Sequence, residues 1–158
     1  MKIQTIISTG ILIAVVAILS LCRPSPAFAV STITTSSTGE GVFLLQGIGI
    51  EDAAAFEIIV SYDTAALANP RVARGPLIAG AMTTINSKVP GMVRMVIVRL
   101  TPVKGSGVIA TLTFDRKGSS PGTVTSLSAR LAASNGVPLP SLVQVQRAGN
   151  SRNAHSRP

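Results

Sequence analysis

Phe56-Glu57-Ile58-Ile59-Val60-Ser61-Tyr62-Asp63, continued by Ala65-Ala66-Leu67 and then Val72-Ala73-Arg74-Gly75-Pro76-Leu77, is the stretch that decides the fold. Side chains alternate along an extended chain, so Phe56, Ile58, Val60 and Tyr62 share one face, opposite Glu57, Ser61 and Asp63. The strand ends in a polar Tyr-Asp corner. A short helical step is expected around Ala65–Leu67, and Gly75-Pro76 breaks the chain before the next strand.

The same grammar runs through the chain. Val, Ile and Thr are abundant, apolar runs are short, and Gly, Pro, Asn or Ser punctuates them. Strands are predicted over 30–35, 41–49, 55–63, 71–74, 77–86, 91–100, 107–115, 122–132 and 141–147. Nine short strands joined by turns imply an all-β sandwich. In one of them Val108, Ala110, Leu112 and Phe114 should face the core and Thr111, Thr113 and Asp115 the solvent. The run Met92–Leu100 is apolar on both faces except at Arg94 and Arg99, as expected of a central strand covered by core on one side and by a loop or partner on the other. Val89-Pro90-Gly91, Val103–Gly107 and Ser134-Asn135-Gly136 carry turn chemistry, and Arg116–Gly122 reads as a loop.

The first 29 residues read as a secretory signal. Lys2 is followed by an apolar run from Ile11 to Leu21, helix-breaking Pro24 and Pro26, and the small-x-small triplet Ala27-Phe28-Ala29, with cleavage expected before Val30. An uncleaved anchor is the alternative, since a run counted from Thr5 approaches the ~20 residues that span a bilayer. Cys22 follows the bulky Leu21, a poor lipoprotein context. A membrane is therefore a partner only if this segment is retained or Cys22 is lipidated. The expected location is extracellular or in the periplasm or cell envelope. Residues 30–148 form one domain, and 149–158 are polar, patternless and expected to be disordered.

After cleavage the chain has no cysteine, and its 12 basic residues face 6 acidic ones. Stability must come from burial, without disulfides. The basic residues are scattered and do not interleave with aromatics, so no nucleic-acid partner is expected. The only histidine is His155, near the C-terminus, which leaves no transition-metal ligand set. Glu51 and Asp52 are not embedded in an Asp-x-Asp-x-Asp-Gly loop, and read as a solvated turn. Glu57 and Asp63 are roughly 20 Å apart along a strand, too far for a glycosidase pair. No Gly-x-Ser-x-Gly elbow occurs. No metal, no cofactor and no catalytic residue is expected; the chain reads as a non-enzyme.

Several blocks, in order, resemble the cohesin domain, the β-sandwich receptor module of cellulosome scaffolds. They are Val42–Gly47, Tyr62-Asp63 with Leu67, Val72 and Gly75–Ile78, the glycine-led strand Gly105–Phe114, and Ala129–Gly136 with its Asn-Gly turn. The resemblance spans about 42 to 147. It implies a nine-stranded jelly-roll sandwich that docks a dockerin-like or envelope protein through one sheet face. The same superfamily includes carbohydrate-binding modules, so polysaccharide binding is the alternative. A flat aromatic platform for sugars is not expected, because the chain has no Trp, one Tyr and four Phe. Candidate partner-binding residues are Arg94, Val96 and Val98, which share one parity of their strand, with Thr111 and Thr113 on the polar side of 107–115. The competing placement for Val96 and Val98 is the core, with Arg94 a solvated edge charge.

Overall fold

The computed structural model describes residues 30–146. The expected leader over 1–29, Cys22 and the expected disordered end over 149–158 lie outside the described residues.

Among the described residues eight strands are formed: β1 (Ser31–Gly39), β2 (Val42–Tyr62), β3 (Leu67–Arg74), β4 (Met82–Asn86), β5 (Met92–Arg116), β6 (Val124–Ala132), β7 (Pro138–Leu139) and β8 (Ser141–Gln146). A 3₁₀ turn, Pro76–Ile78, precedes β4. Two strands are far longer than the usual five or six residues. β2 joins the predicted strands at 41–49 and 55–63, and β5 joins those at 91–100 and 107–115. The count of nine is corrected for that reason, with the short β7 as an addition.

The two long strands build both layers of the sandwich. The first half of β2 pairs with β1, and with β5 from Val103 to Thr113. Its second half pairs with β6, and with β5 from Met92 to Val98. Layer one is therefore β8-β1-β2-β5-β3, and layer two is β7-β6-β2-β5-β4. β8 returns to lie parallel to β1 and closes layer one.

A strand can pass from one layer to the other only by bending, and the bends are written as glycines and bulges. Register shifts fall between Gly47, Ile50, Ala53 and Ala55, opposite Gly105 and Gly107. Gly105 takes a positive φ of 100° that a side chain would resist. The Gly49 amide donates to Ser106 Oγ at 2.9 Å, and Lys104 pairs with Asp52 at 3.3 Å. Thus 103–107 is a crossing inside β5 and not a turn between strands, and Glu51-Asp52 belongs to the matching bend of β2.

The facing sides bury one core: Phe43, Leu45, Ile109, Leu112 and Phe114 from layer one meet Phe56, Ile58, Val60, Met95 and Ile97 from layer two. The Tyr62 ring bridges them, its centroid 4.7 Å from that of Phe114. The alternation in 56–62 is as expected. In β5 a bulge changes the parity: Ile109 is fully buried while Val108 is half-buried.

Two local expectations are also corrected. Residues 64–66 form a hydrogen-bonded turn, with the Ala66 and Leu67 amides donating to the Asp63 carbonyl, and β3 starts at Leu67. The helical step comes later. Pro76 presets φ for the first 3₁₀ position, so a strand from 77 is replaced by the turn that plugs Ile78 into the core. Gly75 is required there: its amide donates to the Ile109 carbonyl at 2.7 Å, and an added Cβ would lie 2.2 Å from the Val108 carbonyl oxygen.

Candidate binding face

The outer face of layer two carries an unusual mixture. Val93, Met95 and Ile97 point into the core, so Arg94, Val96 and Val98 point out. This excludes the core placement of the two valines. Val98 remains 47% exposed.

Register identifies their neighbours. Val98 is flanked by Met82 on β4 and Ala55 on β2, with Ala132 beyond. Val96 lies between Thr84 and Glu57, with Arg130 next to Glu57. Arg94 lies between Asn86 and Ile59, with Ser128 beyond. β4 thus forms the neighbouring strand of this face. Met82 is 80% exposed, and Leu100, on the same parity past Val98, is fully exposed.

Charge sits beside this aliphatic row. One Glu57 oxygen accepts from Arg94 Nη2 at 2.6 Å, and the other lies 4.0 Å from Arg130 Nη1. A single carboxylate between two guanidiniums leaves the face one positive charge in excess. These exposed pairs contribute about 0–1 kcal/mol each to stability, so they do not hold the fold together. Beside them runs a mainly apolar groove lined by Ala55, Val96, Ala132, Pro138 and Leu139, with Glu57 and Arg130 on its rim.

Thr111 and Thr113 are elsewhere. They pair with Leu44 and Val42 on one side and with Ala73 and Arg71 on the other, which puts them on the outer face of layer one. Both are half-buried. The five candidates therefore divide between opposite sides of the sandwich. Glu57, Ile59 and Arg130 were not singled out from the sequence as interface residues. Ile59 could have been: it is an aliphatic residue on the Glu57–Ser61 parity.

Layer one places its charges at the margin. Asp115 accepts from Asn69 Nδ2 at 2.9 Å and from Arg71 Nη2 at 2.5 Å. The Asn69 hydrogen bond, then that of Arg71, holds its carboxyl below the ordinary 3.8. Asp63 is committed separately, its Oδ1 accepting from the Ala65 amide. Among the described residues no three His, Cys, Asp or Glu side chains gather in a way that could hold a metal ion. Nor, among them, is any helix long and apolar enough to cross a membrane.

This two-layer arrangement matches solved cohesins. The fold is that of a cohesin module. A non-cellulosomal cohesin from the archaeon Archaeoglobus fulgidus superposes with a TM-score of 0.62 at 13% identity, covering 75% of this chain and 93% of that one. The sixth cohesin of Acetivibrio cellulolyticus scaffoldin B, solved with a mutant dockerin, gives 0.59 at 19% identity over 73% and 96%. A type I cohesin of Clostridium thermocellum, solved in a cohesin–dockerin complex, gives 0.59 at 14% over 78% and 96%. No family model matches the sequence, and no curated protein does. The likeness is one of cohesin architecture, carried by backbone and core pattern with little sequence identity.

Proposed function

We propose that this protein is a secreted, non-catalytic cohesin-like module that docks a dockerin-type protein through the outer face of layer two. The observation that carries the reading is the solvent-facing row Met82–Val98 with Leu100, set against the Arg94–Glu57–Arg130 cluster. Aliphatic side chains left in water on a β-face, beside a cluster of arginines and a carboxylate, have the make-up of an interface.

Magnitudes assign the roles. Fully burying a Val, Leu or Met side chain is worth about 1.5–3 kcal/mol, whereas an exposed ion pair gives at most about 1. The aliphatics would supply affinity, and the charge cluster would set orientation and reject mismatched partners. Dockerins are the partners of two of the structural neighbours, which supports the choice of class.

Binding to a panel of calcium-loaded dockerins, measured by calorimetry, tests the proposal. Saturable binding to a dockerin, lost in Arg94→Glu, is the expected result. Binding that survives Arg94→Glu would remove this face from the interface. Failure with every dockerin, together with retention on insoluble polysaccharide released by soluble oligosaccharide, would replace protein docking with sugar binding.

A further inference from the structure

Layer two ends on one side in β4, and that edge is open. The other three edges of the sandwich are guarded or covered. β3 carries Pro70, which has no amide hydrogen to offer, a bulge between Ala68 and Arg71, and the charges of Arg71 and Arg74. β7 is only two residues long, begins with Pro138 and is followed by Pro140. β8 lies against β6, where Ser141 Oγ donates to the Ala129 carbonyl at 3.5 Å. β4, Met82-Thr83-Thr84-Ile85-Asn86, has none of these devices. It contains no proline and no charge, and its antiparallel register to β5 is unbroken from end to end.

Among the described residues β4 pairs only with β5, so its far side presents backbone groups on which an extended chain can add a strand. Apolar side chains stand exposed on both of its faces. Met82, on the outer parity, is 80% exposed. Ile85 pairs with the buried Met95 and shares its inward parity, yet remains 38% exposed. A strand laid along β4 would shield Ile85 on one face and widen the Met82–Val98 row on the other.

Charge selects the occupant. From Thr64 to Phe114, the span that builds β3, β4 and nearly all of β5, the chain has six basic residues and no acidic one. Arg71, Arg94 and Lys104 find carboxylates from outside that span. Arg74, Lys88 and Arg99 form no ion pair among the described residues. Arg74 Nη1 donates instead to the carbonyl of Ala81, just before β4, at 3.4 Å. A second copy suits this edge poorly. Antiparallel pairing about Thr84 would set Ser87 and Lys88 of one copy against Gly80 and Ala81 of the other, where Arg74 is held. Like charges would then meet at both ends of the seam.

The geometry points to β4 as a strand-addition site for an extended acidic segment of another protein. Main-chain hydrogen bonds to β4 would supply the affinity, apolar side chains on one parity would cover Ile85, and a carboxylate would reach Arg74. This site uses backbone at a sheet margin, not side chains of the dockerin-type face, so either reading stands without the other.

A capped peptide of valine alternating with threonine, with glutamate at both ends, tests this when titrated into the protein at low salt. Amide chemical shifts within 74–99 should move in a saturable way, and hydrogen exchange of β4 amides should slow. N-methylation of every second amide should abolish binding on the peptide edge that meets β4 and spare it on the opposite edge. Lysine in place of glutamate should weaken binding about tenfold. Thr84→Glu, at an exposed position in the middle of β4, should weaken the acidic peptide by about the same factor, and Thr84→Val should keep it. Binding that survives methylation of either edge, equal binding of the lysine peptide, or shifts on another surface would overturn the proposal. So would sedimentation showing a dimer whose β4 amides are protected without peptide, because the edge would then belong to a second copy.

Discussion

The two halves of β5 obey one alternation rule and arrive at opposite surfaces. From Met92 to Val98 the inward residues are Val93, Met95 and Ile97, and from Ala110 to Phe114 they are Ala110, Leu112 and Phe114. All are buried to a similar degree. The outward residues differ: Arg94, Val96 and Val98 on layer two, Thr111, Thr113 and Asp115 on layer one. Between them the strand bends through 99–107, so outward reverses direction. A strand shared by two layers contributes one core and two unrelated surfaces.

The surfaces differ where it matters for docking. At the centre of layer one's outer face, Gln144, Thr34, Gln46 and Val108 stand side by side across four strands, all uncharged, with Thr34 buried, Gln46 and Val108 half-buried and Gln144 exposed. Exposed aliphatics there, Ile48 and Leu142, sit at one end, flanking Thr32. Layer two instead puts a carboxylate and two guanidiniums at its centre, beside an open aliphatic row. A single partner can cover only one of these faces.

The largest expected effect tests the shared part. Ile97→Ala and Leu112→Ala each remove a fully buried side chain, one from each half of β5. Each should cost about 2–5 kcal/mol of unfolding free energy. Denaturant unfolding should show both losses in one cooperative transition. Two separate transitions would mean that the layers are independent units, and the picture of a single strand-linked core would fail.

The next effect separates the surfaces. Val98→Asp should leave stability within about 0.5 kcal/mol, because the site is open to water, yet sharply weaken dockerin-type binding. A buried, unpaired carboxylate at an interface costs several kcal/mol, so a loss of a hundredfold or more is expected, on the order of 3 kcal/mol. Thr113→Asp, on the opposite face, should change affinity little. The reverse pattern would move the docking surface to layer one.

How much of this was legible in the sequence follows from the range of each signal. Alternation is local, so the core face of 56–62 and the shared parity of Arg94, Val96 and Val98 could be read directly, but in a run apolar on both faces the outward side could not. The crossing could not. Gly47–Gly49 and Gly105–Gly107 look like turns because glycine is locally permissive, but Gly49 is bonded to Ser106, 57 residues away. Only that pairing makes each a bend in a continuous strand. The same loss of range grouped Thr111 and Thr113 with Arg94. It also hid the Glu57–Arg130 contact, which depends on the β2–β6 register. The bulge at Ile109 shifted Val108 out of its expected place for a related reason: an extra residue in one strand is visible only against its partner.

The smallest effect belongs to the charged margin of layer one and is best read as pH dependence. Asp115 has its carboxyl held below the ordinary 3.8, first by the Asn69 hydrogen bond and then by Arg71. A depressed folded-state value means the ionised form is favoured on folding, so the contribution is fully present above the unfolded value and disappears as pH falls through the folded one. The side chain is 44% exposed, and solvent screening keeps the contribution small. Asp115→Asn should therefore lower stability slightly at neutral pH and flatten the acid limb of the stability profile below about pH 4. An acid limb unchanged in Asp115→Asn would show that the Asn69–Arg71 clamp does not persist in solution. The charged edge of layer one would then be as open as the face of layer two, and the contrast between them would rest on the aliphatic row alone.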